Sequence, residues 1–144
     1  MALINRASHA ASGAMRAIAR KREKYTHDVD TGRHTITVDE PEKQGGQDLG
    51  PSPQELLAAS LASCTAVTME MYAKRKGWDA SGLGVDVRYT PAERGCPTRF
   101  ELVLRMPAHL SEEQVERLQV IAAKCPVHRT LEGEVAFDER VELT

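Results

Sequence analysis

The chain has 144 residues, 41% of them hydrophobic and 28% charged, with a formal net charge of -2. That is enough for one domain with its own core, and its charge balance is not that of a nucleic-acid or membrane-surface binder. Three cysteines, an odd number without close pairing, fit a reducing compartment rather than a disulfide scaffold, so a cytoplasmic location is expected.

Residues 1–23 are rich in Ala, Ser and Arg and nearly free of acids, with Arg6, Arg16, Arg20, Lys21 and Arg22 against Glu23. The composition fits either a transit peptide or a basic arm or helix before the domain, and the arm is the simpler reading. No secretory h-region is present, and the single domain is expected over 24–144. No metal-ligand spacing (CxxC, HExxH or a His pair one turn apart) occurs, so neither metal nor cofactor is expected.

From Tyr25 to Asp39 the pattern predicts a hairpin turning at 30–32 (DTG). His34 alternates in phase with Ile36 and Val38, which predicts that it faces the core. Residues 40–51, EPEKQGGQDLGP, read as a loop. Next, SPQE at 52–55 supplies an N-cap, a first-turn proline and a capping-box Glu55 for a helix over 53–76, closed by Lys74, Arg75, Lys76 and Gly77. Leu56 to Met69 contains no charge, so the helix should be central and buried nearly all round, and the uncharged run is too short to cross a membrane. Leu57, Leu61, Cys64, Thr68 and Met71 share one face.

Two alternating segments, Leu83–Tyr89 and Phe100–Met106, predict a strand pair joined by a loop at 91–97. Ser111 and Gln114 form a second capping box, with Leu110 and Val115 as its hydrophobic staple. Val115, Leu118, Ala122 and Cys125 lie on one face of that helix, Pro126 stops it or opens a short helix, and Val135–Leu143 predicts a last strand. Antiparallel strands with helices between them define an α+β fold, an antiparallel sheet with two long helices.

Cys64 and Cys125 each read as small buried hydrophobes when taken singly. Cys125 is also placed to cap a helix beginning at Pro126, which favours its thiolate and makes it the more acidic of the two. Two amphipathic helices on one core would bring the sulfurs together, either as packing or as a thiol redox pair. Cys96, in a Gly/Pro loop, is expected to be exposed and incidental.

GPSPQELLAASLASCTAVTMEMYAKRKGW (50–78), CPVHRTL (125–131) and DEP followed by GG (39–46) resemble the OsmC/Ohr family of thiol-dependent hydroperoxide reductases, over about residues 25–144. The resemblance implies an intertwined homodimer with its active site at the subunit interface, in a branch distinct from the best-known Ohr enzymes. Cys64 would attack an organic hydroperoxide and become a sulfenic acid, Cys125 would resolve it as a Cys64–Cys125 disulfide, and an external dithiol, lipoyl-type by analogy, would reset the pair. A family arginine held by a glutamate would activate the first cysteine. The glutamate's place holds Gln54 here, and Glu55 follows it. Nine residues along a helix give about 13 Å of rise and roughly half a turn of rotation, so Glu55 serves a partner chain's site or only caps its helix. Arg33 is the first candidate for the arginine and Arg129 the second, while His34, Leu61 and His128 are candidates for substrate contact. The competing reading is a non-enzymatic member of the fold that binds an apolar small molecule or senses oxidants at the interface.

Overall fold

A computed structural model describes residues 13–144, and the start of the expected basic arm, 1–12, lies outside the described residues. The chain divides into two compact units, 1–53 and 54–144.

The first unit is a three-stranded antiparallel sheet in the order β1 (Ile18–Glu23), β2 (Thr26–Asp30), β3 (Thr35–Val38). The end of the segment expected as an arm or helix is therefore strand, with Ile18 opposite Asp30 and Lys21 opposite His27. A basic segment can take this edge position because its charged side chains stay in water while its backbone pairs with β2. The expected hairpin forms between β2 and β3. Asp30 Oδ1 accepts the Gly32 N–H at 2.7 Å, and Gly32 takes φ +106°, which a side chain would resist. His34 departs from expectation. It closes the turn, its carbonyl accepting the Thr31 N–H at 2.9 Å, and its side chain is exposed, because the strand begins only at Thr35 and its first two residues, Thr35 and Ile36, are themselves exposed.

Asp39 is the buried polar centre of this unit, at 1% exposure. Its carboxylate accepts from Thr26 Oγ1 at 2.8 Å and from the backbone N–H groups of Glu40 (2.7 Å), Gln47 (3.3 Å) and Leu49 (3.3 Å). One side chain thus ties the 40–51 loop, with its short 3-10 turn at Glu42–Gln44, back to β2. Two glycines let the loop close this tightly: a Cβ at Gly46 would lie 1.9 Å from Glu40 O, and one at Gly50 2.1 Å from Thr37 O.

The second unit opens with α1 (Pro53–Lys76), the helix expected from its caps. Gly77 ends it at φ +71°, donating to Lys74 O at 3.1 Å, while Trp78 N–H reaches back to Ala73 O at 2.9 Å. Strands β4 (Gly84–Thr90) and β5 (Arg99–Arg105) then pair antiparallel, with Tyr89 stacked on Phe100 opposite. Helix α2 (Glu112–Ala122) begins at the expected Ser111–Gln114 capping box, and α3 (Pro126–Glu132) follows after three residues. Met69, Tyr72 and Ala73 of α1 pack with Leu110, Leu118, Ile121 and Ala122, and Val85 and Leu104 close over them from the strand pair. The observed architecture is α+β.

Three expectations need correction here. Helix α1 is not buried all round. It buries Leu61, Thr65, Met69, Tyr72 and Ala73, while Val67 and Met71 are 46% and 64% exposed. A run apolar on every side gives no periodic signal for choosing a face. By length and composition, moreover, the whole 24-residue helix is long and apolar enough to cross a membrane; the shorter uncharged run alone suggested otherwise. Finally, Val135–Leu143 forms no strand and leaves Val135, Phe137, Val141 and Leu143 exposed. An alternating pattern specifies a strand only when another strand lies alongside to pair with it.

Candidate active site

Small side chains surround Cys64 on α1. Ser60 Oγ donates to Leu57 O and Ser63 Oγ to Ala59 O, both at 2.8 Å, so these hydroxyls are satisfied within the helix itself. Cys64 is partly exposed. Cys125 falls just after α2, where Pro126 at the first position of α3 makes it the N-cap. It is fully buried, and its Sγ accepts the His128 N–H at 3.4 Å. The two sulfurs lie within hydrogen-bonding reach of each other, both thiols being unbridged.

Their surroundings push them apart in acidity. Burial raises Cys64, and so does the adjacent Cys125 sulfur; the Val127 N–H and the Thr68 hydroxyl oppose this without reversing it. Burial raises Cys125 too, but there the His128 N–H, the Cys64 thiol, the Thr65 hydroxyl and the Val127 N–H together outweigh it. Thr65 Oγ1 has no hydrogen bond of normal geometry, so its effect on Cys125 is that of a nearby dipole. Of the two thiols Cys125 is therefore the more acidic, in line with the order read from the sequence.

Among the other expected site residues, His128 and Leu61 share this unit with the thiols. His128 Nε2 donates to Glu132 Oε1 at 2.8 Å, and its Nδ1 is buried with no hydrogen-bond partner among the described residues. Leu61 is 1% exposed, one turn before Thr65. Arg129 is exposed on α3, its N–H donating to Cys125 O at 3.0 Å. Glu55 is exposed in the first turn of α1. Arg33 and His34 are exposed in the β2–β3 turn of the first unit. Cys96 is exposed in the β4–β5 loop, as expected. Thr65, Thr68 and Val127 were missed as groups that act on the sulfurs. Thr68 stands four residues after Cys64, the helical spacing that marks it as a neighbour of that thiol, whereas Thr65, one residue after it, acts on Cys125.

Paired thiols set on α1 and at the start of α3 in an α+β fold define a class of domain with a potential redox pair. The sequence profile of the OsmC-like protein family matches residues 43–140, and the chain belongs to that family. No curated protein sequence matches it significantly. Among solved structures, it is similar to an OsmC-like protein from Mycoplasma pneumoniae (21% identity, 85% of this chain and 90% of that one, TM-score 0.72). It is also similar to an organic hydroperoxide resistance protein, OsmC, from Legionella pneumophila (19% identity, 85% and 92% coverage, TM-score 0.61). A third is the organic hydroperoxide resistance protein OhrB of Bacillus subtilis (21% identity, 83% and 91% coverage, TM-score 0.58). At these identities the likeness concerns the fold.

Proposed function

We propose that this chain is a thiol-dependent hydroperoxide reductase working through Cys64 and Cys125. The observation that carries the reading is the contact between a partly exposed thiol and a buried, more acidic one. Exposure selects Cys64 as the sulfur that meets substrate. As a hydroperoxide approaches, the Cys64 proton passes to the ionised, more acidic Cys125 sulfur beside it, leaving a Cys64 thiolate. Its sulfur attacks the distal oxygen, the O–O bond breaks, and the electron pair leaves on the proximal oxygen, which takes up a proton as the alcohol. Cys64 keeps the transferred hydroxyl as a sulfenic acid. The Cys125 sulfur then attacks Cys64, the S–S bond forms and water departs. An external dithiol reduces the disulfide and is itself oxidised to a disulfide. Arg33, with Arg129 second, is proposed on the family resemblance alone as the cation that stabilises the Cys64 thiolate.

The hydroperoxide resistance proteins of similar fold support this reading at the level of the family. A binding or sensing role is the second reading, and the weakened acidity of the Cys64 thiol, whose pKa burial raises, favours it. Turnover of cumene hydroperoxide with dihydrolipoamide as reductant separates the two. Sustained turnover, unchanged in Cys96→Ser, is the expected result. Slow oxidation that modifies Cys96 first would overturn the reductase.

The proposal includes assembly as a homodimer. Val67 and Met71 on α1 and the apolar side chains Val135, Phe137, Val141 and Leu143 are exposed in one copy, and a second copy would cover them. Light scattering should give the mass of two chains, and Phe137→Asp should shift it toward one; a wild-type mass of one chain would contradict the dimer.

A further inference from the structure

Three cations gather about one tyrosine near the end of α1. Arg75 Cζ, Lys76 Nζ and Arg117 Cζ lie 5.6, 5.6 and 5.5 Å from the centre of the Tyr72 ring. Tyr72 is 8% exposed, and its hydroxyl accepts from Arg117 Nε at 2.9 Å. That hydrogen bond and the three positive charges outweigh burial and hold the hydroxyl below the usual phenol range. The ring attracts each cation, but like charges so close repel one another, and an anion among them would relieve the repulsion. Arg117 also forgoes an ordinary partner to stand here. Glu113 lies four residues before it on α2, the spacing that favours a helical ion pair, yet the two form none. With Nε held by Tyr72, the two Nη groups present a fork of the kind that grips a carboxylate.

Lys76 and Arg117 line an open cavity of ≈ 630 Å³ between the end of α1 and α2. Trp78 and Val120 give it an apolar side, and Glu113 and Glu116 bring two carboxylates. None of these four charged residues makes an ion pair among the described residues. A purely anionic ligand would meet both carboxylates, and a purely cationic one would meet Lys76 and Arg117. A ligand that carries both charges finds a partner for each. None of the apolar side chains assigned to the dimer lines this cavity. Nor do the thiols, since Tyr72 stands eight residues beyond Cys64, about 12 Å along the helix.

We propose that this cavity binds a free α-amino acid with an aromatic or large apolar side chain. Its carboxylate sits on Arg117 and Lys76, its ammonium group on Glu113 and Glu116, and its side chain against Trp78 and Val120. Tyr72 is a positioning residue, acting through the guanidinium it holds. The site is independent of the reductase reading, because it uses neither sulfur.

Trp78 is the single tryptophan of the chain, so its emission, excited where phenylalanine does not absorb, reports this cavity directly. L-phenylalanine added to the full-length protein should change that emission saturably, with a dissociation constant on the order of 1 mM for so small a ligand in an open site. Phenylalaninamide, hydrocinnamate and L-alanine lack the carboxylate, the ammonium group and the aromatic ring in turn, and each should bind at least several-fold more weakly. Arg117→Gln should weaken L-phenylalanine about tenfold. Glu113→Gln together with Glu116→Gln should weaken it several-fold while strengthening hydrocinnamate, a reversal that general damage to the fold would not produce. Tyr72→Phe should weaken L-phenylalanine and leave phenylalaninamide unchanged. Hydrocinnamate binding the wild-type protein as tightly as L-phenylalanine, unchanged affinity in Arg117→Gln, or no saturable change in emission or calorimetric heat would each overturn the proposal. Peroxide turnover does not enter the readout, so failure of this site and failure of the reductase reading are separate results.

Discussion

Replacing Cys64 with serine is expected to lower the rate of cumene hydroperoxide consumption by at least about a thousandfold, because it removes the partly exposed thiol that lies beside Cys125. Replacing Cys125 with serine gives a different result. Cys64 is still oxidised once, its sulfenic acid persists and can be trapped with dimedone, and turnover with a dithiol falls because the resolving step is gone. The first oxidation is itself slowed in this variant, since Cys125 also accepts the Cys64 proton. If Cys125 acted only as packing, the serine variant would oxidise at the wild-type rate. Stopped-flow measurement of the first oxidation, with mass analysis of the trapped species, distinguishes these outcomes.

The second large effect concerns stability. Burial pushes the Asp39 carboxyl up, but the Thr26 hydroxyl and the N–H groups of Glu40, Leu49 and Gln47 outweigh it and hold the group below its ordinary value of 3.8. A carboxyl depressed in the folded state contributes stability that is fully present above the unfolded value and is lost as pH falls through the folded one. Acid unfolding should therefore include a step below about pH 4 that Asp39→Asn removes. At neutral pH, Asp39→Ala leaves the N–H groups of Glu40, Gln47 and Leu49 without their side-chain acceptor and the Thr26 hydroxyl with Gln47 Oε1 alone. A fall in Tm of about 5 °C or more is expected, measured by thermal unfolding at pH 7. An unchanged Tm would mean that the loop is held by other contacts.

Elements whose ends are marked chemically were legible in the sequence. The Ser111–Gln114 capping box and the stop at Gly77 are local hydrogen-bonding devices, and the structure uses both. Cys125 as the cap of a short helix was read from Pro126, and the relative acidity of the two thiols followed from it. What remained unread depends on tertiary context. The buried face of α1 could not be chosen from residues apolar on every side, so Thr65 and Met69 were passed over in favour of Leu57 and Met71. His34 fitted a sequence alternation, but it lies in the turn before β3, and Ile36, in phase with it, is exposed as well. Val135–Leu143 has the pattern of a strand without a strand to pair with among the described residues. The DEP and GG residues carried the family resemblance without a visible reason. The structure supplies one: Asp39 needs the loop's N–H groups, and Gly46 needs to lie against Glu40.

The central claim is that Cys64 and Cys125 exchange electrons with one hydroperoxide molecule as a pair. Treating the reduced protein with one equivalent of cumene hydroperoxide, blocking residual thiols and mapping peptides by mass tests it most directly. The account predicts a bridge between the Cys64 and Cys125 peptides within one chain, with Cys96 still reduced. Oxidised Cys96 alongside reduced, alkylated Cys64 and Cys125 would contradict it.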